Sequence, residues 1–423
     1  MTALLYTAGV VLFVVGIAIS IGLHELGHMI PAKKFGVKVT QYFVGFGPTL
    51  WSRKRGETEY GVKWIPLGGY VKLVGMLPPS DTTNPGRLRA GSTGIFAQLI
   101  SDARSAEYEL VEPGEEDRLF YRKAWWKKLI VMSGGPLVNI AIAFLLFGGV
   151  FMFHGVGEVK PIASSVSSCT KATCANPSGL TPAQRAGIHP GDRITAFNGT
   201  KITSWDQLVP LIHNSAGKKA TISVLRDGNV KVLKTRISTL PTKAGAATAQ
   251  GFLGVAPSIV YVTKGPGYTV RQMGDATWQT VTAVVHLPVK LYGVGKTVLG
   301  LTPRDPGSPV SVVGISRIAG DVASARTVSV TDRFVSLLLI LASVNLFLGM
   351  FNFVPLLPLD GGHIAGALYE ALRRGFAKLF KRPDPGYFDV ARLLPVAYTV
   401  AGALLVMSVL LIYADVVAPV KLQ

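Results

Sequence analysis

The chain has 423 residues, of which 49% are hydrophobic, and it carries a formal net charge of +19 with a mean hydropathy of +0.39. This composition excludes an ordinary soluble protein and indicates a membrane protein with room for one additional folded module. The net charge does not indicate a nucleic-acid-binding protein, because much of it flanks apolar segments and no recognisable nucleic-acid-binding module accompanies it.

The first apolar segment, residues 4–23, runs directly into the sequence His-Glu-Leu-Gly-His at residues 24–28. Ionisable side chains are costly at membrane depth unless they have a function. On a helix, His24 and His28 lie on one face and can bind a single metal ion, with Glu25 beside them. Two histidines and a carboxylate leave one zinc position open for water, which Glu25 can deprotonate for attack on a peptide carbonyl.

A polar stretch and a second apolar segment follow. Residues 77–119 are rich in Pro, Gly, Ser and charged side chains, which is typical of a flexible loop. Residues 129–153 are apolar and long enough to cross a bilayer, for which about 20 residues are needed. The sequence therefore predicts a second membrane span after this loop.

The region between the second and third apolar segments has a β-rich pattern. Turn signals occupy residues 184–199, and apolar residues alternate over 220–225 and 230–237. Residues 186–198 and 205–208 resemble a PDZ domain of the kind attached to bacterial envelope proteases. Such a domain can bind an extended chain at a sheet edge, although a passive spacer that blocks access sterically is an open alternative.

Cys169 and Cys174 are the only cysteines, and both belong to this region. Without a second pair nearby, a zinc knuckle is not expected. An oxidising exterior favours a local disulfide between them. Residues 268–301 then form an amphipathic helical pattern, which predicts a connector along the outer membrane interface.

The third apolar segment, residues 334–354, is followed by Asp360-Gly361-Gly362-His363. Asp360 is the candidate third metal ligand, because two membrane helices can present their polar ends to one ion. His363 is the competing ligand, and Asp-Gly-Gly is also common in ordinary turns. The fourth apolar segment covers residues 393–413.

The basic residues that flank these spans predict their orientation, since Lys and Arg hold short flanks inside. They are Lys33, Lys34 and Lys38 after the first span, Arg122, Lys123, Lys127 and Lys128 before the second, and Arg373, Arg374, Lys378, Lys381 and Arg382 between the third and fourth. Both termini are therefore expected outside, and His24, His28 and Asp360 toward the cytoplasmic side.

Several motifs in order along the chain resemble the site-2 protease family of intramembrane zinc metalloproteases, specifically the bacterial RseP type that cuts anti-sigma factors. The motifs are residues 24–28, 46–48, 68–72, 134–139, the PDZ-like core and 352–362. Only one PDZ-like unit is evident, whereas the proteobacterial branch carries two in tandem.

The resemblance implies roles for single residues. His24, His28 and Asp360 would bind Zn²⁺, and Glu25 would be the general base. Asn352 would hold substrate, and Pro355 and Pro358 would end the third helix so that Asp360 turns inward. Gly68, Gly69, Tyr70 and Val71 would belong to a membrane-dipping β element that takes up substrate as an added strand. Gly134, Gly135 and Pro136 are expected to serve close helix packing.

The predicted fold is a polytopic α-helical membrane protein with four transmembrane helices, a membrane-associated β element and an extracytoplasmic β-rich PDZ-like domain. The predicted regions are 1–30, 31–128, 129–154, 155–257, 258–332, 333–392 and 393–423. The predicted function is cleavage of a single-span bacterial membrane protein, such as an anti-sigma factor already trimmed outside, in regulated intramembrane proteolysis.

The sequence favours two other classes of function less. One is a catalytically silent scaffold that binds envelope proteins through its PDZ-like domain, and an intact Glu25 with three candidate ligands argues against it. The other is a transporter, which four spans without a visible repeat do not favour.

Overall fold

A computed structural model describes most of the chain: residues 2–78, 100, 102, 104–105, 111, 114–168, 180–240 and 250–420. These residues form the helices α1 (Thr2–Lys34), α2 (Trp125–Gly149), α3 (Pro182–Ala186), α4 (Trp205–His213), α5 (Pro266–Val285), α6 (Leu287–Val298), α7 (Val312–Ser324), α8 (Val330–Asn352), α9 (Asp360–Leu379) and α10 (Leu394–Val417). Short 3₁₀ turns lie at Glu116–Arg118, Phe120–Arg122 and Val390–Leu393, and a π-helical turn at Val150–His154.

The strands are β1 (Val39–Arg55), β2 (Thr58–Leu73), β3 (Val156–Val166), β4 (Arg193–Phe197), β5 (Thr200–Lys201), β6 (Lys219–Arg226), β7 (Asn229–Arg236), β8 (Ser238–Leu240), β9 (Gln250–Phe252) and β10 (Val255–Val262). Cys169 and Cys174, and with them the predicted disulfide, lie outside the described residues, as does most of the predicted 77–119 loop.

Four helices are long and apolar enough to cross a membrane. They are Thr2–Lys34, Trp125–His154, Val330–Asn352 and Val390–Val417. Each contains or closely overlaps one of the four apolar segments that the sequence predicts, so the prediction of four apolar helices is confirmed. The chain is a multi-pass membrane protein.

The chain divides into two compact units. One consists of Met1–Val150 and Gly265–Gln423, and the other of Phe151–Lys264. The first unit contains three of the four spanning helices whole, the second span as far as Val150, the β1–β2 sheet and the helices α5 to α7. The finer division into seven regions remains a prediction.

The second unit is built on an antiparallel sheet with the strand order β10-β3-β4-β6-β7. The alternating segments 220–225 and 230–237 of the sequence correspond to β6 and β7, which pair along their whole length. Residues at alternate positions of β6, among them Ile222, are buried in one core with Ile194 of β4 and Leu208 of α4. Alternation with period two thus puts one face of β6 into an apolar core.

Glycines allow the spanning helices to pack closely in the first unit. A Cβ at Gly134 of α2 would overlap the main chain of α1 at Gly27, and one at Gly9 would overlap Ala323 of α7. Small residues at such crossings let backbones approach one another in a membrane, where dispersion rather than water exclusion drives helix association. Gly27 precedes His28 in α1, so this crossing brings α2 close to the two histidines.

β1 and β2 are long, bent strands that together give four strand segments. Tyr42 in the first half of β1 lies opposite both Tyr60 and Val71 of β2. The chain can fold back in this way because Gly45 and Gly47 have φ values of +96° and +84°, which glycine adopts without strain. In the part of the chain that the structure describes, the last segment of β2 therefore pairs on one side only, with β1, and lies at an edge of this sheet.

The predicted amphipathic connector corresponds to α5 and α6. Met273 of α5 is buried against Leu346 and the partly buried Ile140, whereas Trp278 is 69% exposed and Tyr292 of α6 is 68% exposed. Exposed Trp and Tyr side chains are typical of helices at a membrane interface. The placement of this segment along the outer membrane surface remains a prediction.

Candidate metal centre

Three potential metal ligands from two distant parts of the chain meet at one point. His24 and His28 lie one turn apart on α1, and Asp360 is the first residue of α9. The Nε2 atoms of the two histidines are 3.2 Å apart. Oδ2 of Asp360 lies 3.4 Å from Nε2 of His24 and 3.3 Å from Nε2 of His28.

The size of this triangle fits a zinc ion. In a tetrahedral site with metal–ligand bonds of about 2.0–2.2 Å, neighbouring ligand atoms are about 3.3–3.6 Å apart. Oδ2 of Asp360 accepts no hydrogen bond from the described residues. A buried carboxylate oxygen facing imidazole nitrogens is expected to be satisfied by a cation. Among the described residues, this is the one group of three or more His, Cys, Asp or Glu side chains with metal-ligand spacing.

A main-chain contact sets the tautomer of one histidine. Nδ1 of His28 lies 2.8 Å from the carbonyl oxygen of Val131 in α2. Because a carbonyl oxygen only accepts, Nδ1 carries the hydrogen and donates it, and Nε2 keeps its lone pair toward the centre of the triangle. α2 therefore orients a candidate ligand without supplying one.

Gly135 of α2 lies against the histidine pair. A Cβ at this position would overlap Nε2 of His28 and would lie 2.7 Å from Nε2 of His24. The sequence predicts Gly134, Gly135 and Pro136 as packing residues, and Gly134 fits that description. Gly135 has the additional effect of leaving space directly beside the two ligand nitrogens.

A tight return of the chain brings Asp360 to the histidines. α8 ends at Asn352, three residues before Pro355, and α9 begins at Asp360. A Cβ at Gly361 would overlap the carbonyl of Val354, so the backbone passes itself closely here. The Asp-Gly-Gly sequence thus starts a helix whose first residue points to the metal site, and the two glycines permit the return.

Glu25 lies between the candidate ligands and the edge of the β1–β2 sheet. It is 9% exposed, and its carboxyl lies within electrostatic range of His24, His28 and Asp360. The main-chain N–H of Val71 faces this carboxylate. A Cβ at Gly69 would be 3.0 Å from Cγ of Glu25. The edge segment of β2 therefore approaches the catalytic candidate with its backbone.

The structure brings most of the predicted site residues together, but not all. His24, Glu25, His28 and Asp360 share one site, and Gly69 and Val71 border it. His363 is not a member of the ligand group, although it lies three residues after Asp360. Asn352 is the half-buried last residue of α8.

Sequence reasoning missed the contributions of α2 to this site. The Val131 carbonyl leaves no signal, since any residue type supplies a carbonyl. Gly135 does leave one, because Gly-Gly-Pro is an unusual interruption of an apolar span. Without the tertiary structure, that interruption indicates a close approach but not to which residues.

Comparison with known proteins gives the same family throughout. Residues 12–382 match peptidase family M50. The chain is 33% identical to the zinc metalloprotease Rip1 of Mycobacterium tuberculosis H37Rv over 442 residues, which cover 99% of this chain and 100% of that protein. It is 25% identical to the zinc metalloprotease RasP of Bacillus licheniformis over 397 residues, which cover 83% of this chain and 87% of that protein.

Proposed function

The chain belongs to peptidase family M50, the site-2 proteases, and from this premise we propose that it cleaves a single-span membrane protein in or beside its transmembrane segment. The proposed substrate class is an anti-sigma factor whose outer part has already been removed by another protease. The chain is a zinc metalloprotease. The observation that carries the site assignment is the His24, His28 and Asp360 triangle beside Glu25.

His24, His28 and Asp360 are the proposed zinc ligands. Zinc, when bound there, acidifies a water molecule and polarises the scissile carbonyl. Glu25 takes up the proton of the attacking water and passes it to the leaving amine. The buried position of Glu25 keeps this proton transfer apart from bulk solvent.

The edge segment of β2 is the proposed binding site for the unwound substrate. A transmembrane helix hides its peptide bonds, so the substrate must become extended before hydrolysis. Gly68, Gly69, Tyr70 and Val71 line this edge, which pairs only with β1 among the described residues. An extended substrate added there would lie next to Glu25, and Asn352 is proposed to hold it as well.

The second unit is proposed to be a PDZ-like domain on the outer side of the membrane. Its sheet and the α4 helix over the core support this assignment. It would bind an extended segment of the partner or restrict access to the membrane part. The membrane orientation proposed with it places both termini outside and the metal site toward the cytoplasm.

The experiment that tests the proposed function is co-expression of the full chain with a single-span envelope protein lacking most of its outer part. The wild type is expected to release a shortened product. Glu25→Gln is expected to lower the rate about 100-fold or more while retaining zinc, because it removes only the base. Asp275→Asn makes a similar charge change at an exposed residue of α5 and is the matched control.

The outcomes separate the parts of the proposal. Product with wild type and Asp275→Asn, but not with Glu25→Gln, supports Glu25 as the base. Equal product with Glu25→Gln removes it from that role. Cleavage of other trimmed partners, with anti-sigma factors left intact, would overturn the proposed substrate class and keep the proposed chemistry.

A further inference from the structure

A buried ion pair joins α2 to α9 away from the metal site. Nζ of Lys128 lies 2.8 Å from Oε2 of Glu370. The side chain of Lys128 is 8% exposed and that of Glu370 is 1% exposed. Burying two charges is costly, and the pair gives the contact between these two helices a defined direction.

Further groups hold the Glu370 carboxylate in place. The main-chain N–H of Phe388 donates to Oε2 over 3.2 Å, and Nη2 of Arg374 lies 3.5 Å from Oε1. The Tyr387 ring lies under both cations, with its centroid 5.1 Å from Nζ of Lys128 and 4.9 Å from the guanidinium carbon of Arg374. The carboxylate is therefore held by three elements: α2, α9 and the segment after α9.

Both partners of this ion pair belong to helices that shape the metal site. Lys128 lies one turn before Val131, whose carbonyl orients His28. Glu370 lies ten residues after Asp360 on the same helix, which is about 15 Å along the axis. Since a helix is stiff over this length, its attachment at Glu370 limits how far Asp360 can shift or rotate relative to α2.

We propose that Lys128 and Glu370 are positioning residues that fix the axial position and the rotation of α9 relative to α2. In this position Asp360 lies at metal-binding distance from His24 and His28. The proposal rests on the ligand set of the proposed function. Lys128 ties α9 to the same turn of α2 that orients His28. This one ion pair therefore fixes the positions of both Asp360 and His28. Neither residue touches the metal ligands, and both act through the helices that carry them.

Apolar replacement of the pair separates a positioning role from a merely stabilising one. Replacing a buried ion pair by apolar side chains of similar size is often neutral or stabilising, because it removes the desolvation cost. Lys128→Met with Glu370→Leu is therefore expected to keep the thermal stability of the full chain. It removes the directional contact, however, and lets α9 settle at other heights and rotations.

The experiment measures zinc affinity of the purified full-length protein by competition with a chromophoric chelator, together with its melting temperature. The double variant Lys128→Met/Glu370→Leu is expected to lose about 10-fold or more in zinc affinity, the range seen when outer contacts of a metal site are removed, without a fall in melting temperature. Lys128→Arg retains the charge and the donors and is expected to keep wild-type affinity.

Two further variants make the result decisive. Arg304→Met/Asp415→Leu removes another buried ion pair, which joins α10 to the segment before α7, and is expected to leave zinc affinity unchanged. Unchanged zinc affinity in the Lys128/Glu370 double variant, or equal losses in both double variants, overturns the positioning role. Asp360→Ala tests the ligand set itself: zinc bound as tightly as in wild type would overturn that assignment, and loss of zinc there leaves the positioning result to be judged alone.

Discussion

At the scale of single residues, the metal site depends on a carbonyl group and on a missing side chain of α2. The Val131 carbonyl holds the Nδ1 hydrogen of His28, and Gly135 has no side chain where a Cβ would overlap Nε2 of the same residue. The carbonyl orients His28, and the glycine leaves space for its imidazole. These are the positions at which a small change should affect zinc binding most directly.

Gly135→Ala is expected to lower zinc affinity about 10-fold or more, because the added methyl displaces the two imidazoles. Gly149→Ala adds the same group to the same helix, where a Cβ would meet nothing within 4 Å. This control is expected to bind zinc like the wild type. Chelator competition on both purified proteins provides the measurement, and equal affinities would refute the steric role of Gly135.

Asp360→Ala is expected to abolish zinc retention and turnover, because two imidazoles alone bind zinc weakly. His363→Ala is the matched comparison within the same turn of α9 and is expected to retain zinc. Metal content after dialysis measures both. Retention by Asp360→Ala together with loss by His363→Ala would move the third ligand to His363.

At the scale of elements, the edge of β2 is the feature that connects the metal site to a substrate. Val71 lies opposite Tyr42 of β1, and its N–H points to Glu25. The backbone at this edge thus pairs with β1 on one side and lies next to the catalytic candidate. An added strand would use the same edge.

Val71→Pro is expected to lower kcat/KM by about 10-fold or more while leaving zinc content unchanged. Proline removes the N–H that faces Glu25, and an edge strand tolerates proline where the N–H points away from the pairing strand. Val71→Thr keeps the N–H and the branched shape and serves as the control. Cleavage kinetics of a trimmed single-span substrate measure the effect. An equal loss in both variants would show that the side chain, not the N–H, is responsible.

The junction between β4 and β6 in the second unit has an ion pair with a definite pH dependence. The guanidinium of Arg226 contacts both oxygens of Asp192 at 2.6 Å, and the His189 N–H adds a bond of 2.9 Å. Arg226 holds the pKa of Asp192 below its usual value. The stabilisation that this ion pair gives to the folded second unit is therefore complete above about pH 4. It is lost as the pH falls through the lowered pKa of Asp192.

Asp192→Asn is expected to lower the free energy of opening of β4 and β6 by about 2 kcal/mol at pH 7. The difference from wild type should shrink as the pH falls below about 4, because Asp192 is then protonated in the opened state and, at still lower pH, in the folded state as well. Asp206→Asn, at an exposed residue of α4, is the control. Amide hydrogen exchange of the full chain at pH 7 and pH 3, followed by mass spectrometry, measures the effect. A difference that stays the same at both pH values would contradict the ion-pair explanation.

At the scale of the whole molecule, the four apolar helices and the basic residues that flank them predict how the chain is inserted. The basic residues concentrate on the flanks between spans one and two and between spans three and four. Positive flanks are retained inside, whereas long folded regions cross regardless of charge. This predicts a single orientation for a chain with four spans.

Reporter fusions after residue 420 are expected to be active only with an enzyme that works outside the cytoplasm, and fusions within residues 381–386 only with one that works inside. Removing the basic residues between spans three and four (Arg373, Arg374, Lys378, Lys381 and Arg382) should weaken this preference, because they are the retained charges. Exchanging five neutral residues of the same loop provides the control. Cytoplasmic activity of the fusion after residue 420 in the unmodified chain would contradict the proposed orientation.

The sequence by itself determined the four apolar helices and the spacing of the two histidines. Apolar runs of sufficient length predict the four helices whatever surrounds them, because a bilayer requires about 20 residues. His24 and His28 are four residues apart, so their shared face follows from helix geometry alone. Asp360 was a candidate only because the His24 and His28 pair needs a third ligand, since Asp-Gly-Gly by itself is typical of an ordinary turn.

Only the tertiary structure decided which parts of the chain meet. The contact between Asp360 and the histidines spans more than 300 residues, and no local pattern encodes a separation of that kind. The Val131 carbonyl, the space at Gly135 and the Lys128–Glu370 pair all depend on how α2 crosses α1 and α9. Local periodicity reports which face of a helix is apolar, whereas the helix that covers it is chosen by the packing of the whole bundle.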